Sequence, residues 1–133
     1  MKYNLVLLFS FLCLKLAFCQ SVKKDTLYFE LKDNTIKQNS LNSYEFIIDI
    51  DFISKGGDYF YFVADSISLK KRSYKNVNLI EFITNSNFYE EKTNSVDFTL
   101  LQKYMEMNYE ICLVSTGCDY LSFVHVNAVT EIE

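Results

Sequence analysis

Proline and tryptophan are absent from this 133-residue chain; glycine occurs three times and histidine once. Without Pro and with so little Gly there is no linker to divide it, and no repeat of solenoid period is present. A single His falls short of the multi-imidazole metal sites many enzymes use. Neither a Gly-x-Ser-x-Gly elbow nor an Asp-x-Asp-x-Asp-Gly calcium loop occurs. Positive charge is scarce too: 13 Lys and Arg stand against 17 Asp and Glu, a net charge of −4. That balance argues against binding nucleic acid or an anionic membrane surface, both of which call for a basic face. What remains is apolar: 50% of the chain is hydrophobic and 17% aromatic, enough to build a core.

The first apolar block has the grammar of an export signal. Lys2 supplies the positive start, Leu5–Leu14 a hydrophobic run, and Ala17-Phe18-Cys19 the small residues before a cut at Gln20. Lys15 ends the run short of the ~20 apolar residues that a membrane-spanning helix needs. Leu16-Ala17-Phe18-Cys19 also reads as a lipobox in which Cys19 is acylated, although Phe18 is bulky for that motif. Either way the expectation is an exported protein, periplasmic or secreted, meeting membrane only through the signal or a Cys19 lipid. Residues 20–133 then form one domain. Because the signal contains Lys2 and Lys15 but no acid, removing it moves the net charge from −4 to −6.

Along that domain, Thr26–Leu31 reads as a strand from its β-branched and aromatic content. Lys32–Ser43 is a polar, Asn-rich connection. In Tyr44–Ile53, Phe46, Ile48, Ile50 and Phe52 share one parity while Glu45, Asp49 and Asp51 share the other, as a half-buried strand requires. Ser54–Asp58, with its two glycines, supplies the reversal into a second strand, Tyr59–Asp65. Leu79, Ile80, Phe82 and Ile83 suit a short helix opening near Asn76–Asn78. A second helix carries Leu100, Leu101, Tyr104 and Met105, with Asn94 or Ser95 as cap and Asp97 in the first turn. Tyr109–Ser115 and Tyr120–Val129 close the chain as strands. The expected fold is α+β, an antiparallel sheet of about five strands with two short helices on one face. Phe46, Ile48, Ile50, Phe60 and Phe62 are expected to meet Leu101 and Met105 in its core.

With Asp25-Thr26-Leu27-Tyr28-Phe29, the Asn-rich link bearing Ile36-Lys37, the helix ending in Asn87-Phe88-Tyr89 and the closing hairpin, the chain resembles small exported proteins of Bacteroidota-type bacteria. Its wealth of Asn, Ile, Lys, Tyr and Phe suits the same AT-rich genomes. That group has no assigned activity, so the resemblance implies export and fold and supplies no mechanism.

Each residue able to carry chemistry also has a plainer reading. Cys112 and Cys118 form an even pair after signal removal, and an oxidising compartment favours a disulfide between them. Facing each other across the last turn they come within bonding range; a two-residue Thr116-Gly117 turn would instead set Ser115 against Cys118. With both cysteines so engaged, His125 lacks a nucleophile and partner ligands and reads as a structural strand residue. Asp49, Asp51 and Asp65, with Asp58 nearby, are the candidate acidic face for a cation or an acid–base pair, or simply the solvent side of two strands. Lys70-Lys71-Arg72 with Lys75 reads as a solvated loop. Tyr59 and Tyr61, opposite Phe60 and Phe62, form either a binding platform or a second packing layer. The leading expectation is a non-catalytic exported protein, without cofactor or metal, that binds another envelope or extracellular protein, with an inhibitor or immunity-type role as one form. A lipid-anchored structural envelope component is the alternative, and a hydrolase using the Asp49/Asp51/Asp65 face is the third.

Overall fold

A computed structural model describes residues 23–31, 34–69, 73–117 and 121–132. The expected signal segment with Cys19, the Lys70-Lys71-Arg72 run and Cys118 lie outside the described residues. In chain order the elements are β1 (Asp25–Glu30), β2 (Ile36–Gln38), β3 (Glu45–Ile48), β4 (Ile53–Ser54), β5 (Asp58–Leu69), α1 (Leu79–Thr84), β6 (Tyr89–Glu90), β7 (Ser95–Val96), α2 (Phe98–Asn108), β8 (Tyr109–Thr116) and β9 (Leu121–Ile132). Six strands form one sheet in the order β1-β8-β9-β5-β3-β2, and three form a smaller one, β4-β7-β6.

The α+β class holds, but the sheet is neither five-stranded nor purely antiparallel. β1 runs parallel to β8, with Asp25 opposite Tyr109 and Glu30 opposite Val114. Periodicity along β1 fixes which of its faces is buried, and it says nothing about which distant strand lies beside it. The missed strands β2, β4, β6 and β7 are two or three residues long, too short for a period of two to register.

Tyr44–Ile53 is expected as one strand and is divided. β3 stops at Ile48, and the chain crosses to β4, which pairs with β7 in the smaller sheet. The alternation nevertheless survives as burial. Phe46 is buried and Ile48, Ile50 and Phe52 pack on the core, while Ile47, Asp49 and Asp51 are exposed. The turn before β5 is as read: Gly57 adopts φ +74°, a conformation that side chains with a Cβ rarely take. The Asn-rich link also has a structural job. Asn39 and Asn42 receive the Leu41 and Tyr44 amides on their side-chain oxygens at 3.0 and 3.1 Å, closing the β2–β3 turn.

One face of the large sheet carries the core. Phe29, Phe46, Phe62, Leu113, Val126 and Ala128 meet Leu79 and Ile83 of α1 and Leu101 and Met105 of α2. Both helices begin at side-chain caps: Asn78 accepts the Glu81 amide at 3.1 Å and Asp97 accepts the Leu100 amide at 3.0 Å. The cap of α2 is therefore Asp97, not Asn94 or Ser95. Asn94 instead takes a positive φ of 49° and donates to the Asp51 carbonyl at 2.7 Å. On the opposite face Cys112, Val114 and Phe123 are buried too. Tyr28 and Tyr74 cover Phe123 with ring centroids 6.0 and 5.8 Å away. Among the described residues no helix is long and apolar enough to cross a membrane.

Candidate binding face

β3 pairs with β5 only as far as Ile47 opposite Tyr61, whereas β5 runs on to Asp58 with β9 still alongside as far as Ile132. Where β3 departs, a groove of about 610 Å³ opens. Ile48, Ile50, Phe52, Phe60 and Phe98 line it from the core side, and Ile47, Tyr59 and Tyr61 from the outer face. Tyr59 and Ile47 are 57% and 48% exposed. Of the two tyrosines, Tyr61 is half-buried and Tyr59 exposed.

Three acids, Glu45, Asp58 and Glu131, line the same groove, and among the described residues no Lys, Arg or His does. Each carboxylate is positioned by neutral donors. Asn39 and Asn42 donate to Glu45 at 2.9 and 2.8 Å, Thr99 donates to Asp58 at 2.6 Å, and Tyr61 donates to Glu131 at 3.3 Å. The only ion pairs among the described residues are Lys37–Asp49 at 2.7 Å and Lys55–Glu90 at 2.9 Å, so the groove acids have no counter-charge. Their field reaches Tyr61. Burial pushes its phenol above the usual tyrosine range, and the negative charges of Glu131 and Glu45 push it further.

The expected acidic face is not assembled. Asp49 is spent on Lys37 beside β2, and Asp51 lies on the exposed side of the segment between β3 and β4. Asp65 sits at a β-bulge in β5 and lines a different groove of about 480 Å³ with His125, Glu106 and Glu110. One inserted residue turns it away from the register it would share with the others. Among the described residues no three His, Cys, Asp or Glu side chains are grouped to hold a metal ion.

The last hairpin also differs from both expected registers. Ser115 lies opposite Ser122 and Thr116 opposite Leu121, so the residue facing Cys112 is His125, not Cys118. The Cys112 sulfur stands 3.4 Å from His125 Nδ1. A thiol beside an imidazole is the start of a nucleophilic pair, but Cys112 is 2% exposed. The pair packs the outer face of β8 and β9.

Sequence reasoning named Tyr59 and Tyr61 and passed over Glu45, Glu131 and Ile47. Ile47 was the available signal, an apolar residue on the polar parity of its strand. Comparison of the chain with family models, with curated proteins and with solved structures gave no match.

Proposed function

We propose that the protein is a non-catalytic, exported binding protein that engages a partner protein through the groove flanked by Tyr59 and Tyr61. One observation carries this reading: an open, apolar-floored groove with half-exposed aromatic and aliphatic residues at its mouth. Rigid aromatic side chains bury large area at small entropic cost, which suits them to anchor a partner. The export signal expected from the sequence supports an envelope or extracellular setting. The carboxylates of a hydrolase reading, Asp49, Asp51 and Asp65, are dispersed over separate surfaces.

A photo-cross-linking side chain at position 59, introduced in cells that make the protein, tests the face. It should yield one defined adduct, and the same group at exposed Ile67 should not. Equal adducts from both positions, or none from position 59, would overturn the reading. Mass spectrometry of the mature protein should find Gln20 as its first residue; a diacylglyceryl group on Cys19 would make it a tethered protein instead.

A further inference from the structure

We propose that the groove takes a cationic, partly apolar peptide segment in extended form, a Lys- or Arg-bearing stretch of a partner protein. This rests on the binding reading above and adds the chemistry of the partner. Among the described residues the groove lining supplies three acids and no base, in a chain whose net charge is already negative. Two of them share the outer face: Glu45 lies opposite Val63 of β5 and Glu131 opposite Tyr59. Asp58, on the parity of Phe60 and bonded to Thr99 of α2, reaches the groove from the core side. From the level of Val63 to that of Tyr59 is four residues of strand, ~13 Å at the usual rise per residue, which is the reach of about four residues of extended peptide.

Every one of these carboxylates accepts hydrogen bonds from neutral groups, so each is held in place with no ion pair to a described cation. A fixed, unpaired anion on the rim of an apolar floor favours a side chain with a long aliphatic stem and a positive head. Lys and Arg have that form. Valine-sized residues between the cations would meet Ile47, Ile50 and Phe60. An acidic segment, a nucleic acid or an anionic membrane would instead face like charge throughout.

Fluorescence anisotropy with residues 20–133 and three labelled peptides tests the idea: Lys-Val-Lys-Val-Lys, Ser-Val-Ser-Val-Ser and Glu-Val-Glu-Val-Glu. The lysine peptide should bind about tenfold or more tighter than the serine peptide, and the glutamate peptide should not bind. Raising salt from about 0.05 to 0.5 M should weaken it about tenfold. Glu131→Lys should weaken it about tenfold or more, whereas Asp49→Lys, the same charge change outside the groove, should change it less than about twofold. Equal losses in the two variants would mean diffuse attraction and overturn the site. Equal binding of the serine peptide would overturn the cationic chemistry while leaving the binding face intact. No peptide binding, with a cross-link still formed at position 59, has the same meaning. No binding and no cross-link would overturn both readings. A dimer by sedimentation that excludes the peptides would give the groove to a second copy and overturn this proposal.

Discussion

Tyr61 is the side chain in which the groove's charge can be read directly. Its phenol is raised first by burial and then by Glu131. In Glu131→Gln, a ¹³C-tyrosine NMR titration should show its ionisation moving down toward the ordinary range. Tyr74, raised mainly by its hydrogen bond to Glu30, should stay put. An unmoved Tyr61 would mean the carboxylate does not act on it. The sign for folding follows from the direction. Both phenols hold their protons more tightly folded than unfolded, so stability is unaffected below the usual tyrosine range. It declines as pH rises through and above that range, and chemical denaturation at stepped alkaline pH should show it. Nearby, Asp49→Asn breaks only an exposed pair with Lys37 and should cost about 0–1 kcal/mol. Ile50→Asp, which places a carboxylate among core neighbours, should cost several times more.

Among the elements, α2 has the sharpest division of labour. Leu101 and Met105 are fully buried, while Leu100, on the same expected stripe, is 48% exposed. Leu101→Ala should lose about 2–5 kcal/mol and Leu100→Ala less than about 0.5 kcal/mol, measured by urea unfolding. Removing the cap with Asp97→Ala should cost about 1 kcal/mol. Comparable losses at 100 and 101 would put the wrong face of the helix on the sheet. The alternation of Phe46, Ile48, Ile50 and Phe52 told correctly which side of the chain is buried, because that depends on local periodicity. It could not tell that pairing with β5 stops after Ile47, since ladder length depends on where the neighbouring strand goes. The groove exists because of that stop, so its acids were unreadable: Glu45, Asp58 and Glu131 come together only through the β3–β5 and β5–β9 registers. Tyr59 and Tyr61 were legible because adjacent aromatics on both parities of one strand imply burial on one side and a contact surface on the other.

For the molecule as a whole, the closing hairpin is the centre of the sheet. β8 pairs with β1 and β9, and β9 pairs with β5 along nearly its full length. A chain ending at residue 108 keeps both helices and seven strands yet loses the two on which β1 and β5 depend. It should give a far-ultraviolet spectrum of unfolded chain and no cooperative melting transition. A cooperative transition in that truncation would mean that the first seven strands carry their own stability.

The parallel pairing of the first strand with the eighth also sets an order of events in time. Asp25–Glu30 leaves the ribosome or a translocation pore early, and its hydrogen-bonding partner Tyr109–Thr116 comes out almost last. Until then the backbone of β1 lacks its ladder partner, although Phe29 can already reach Phe62 and Phe82. Such delay slows folding, because distant segments must find one another before any reward is gained. On the proposed export, with the N-terminus threaded outward first, the same delay keeps that ladder unformed during passage. It also leaves apolar strands bare at the exit, where a holding chaperone has the most to protect.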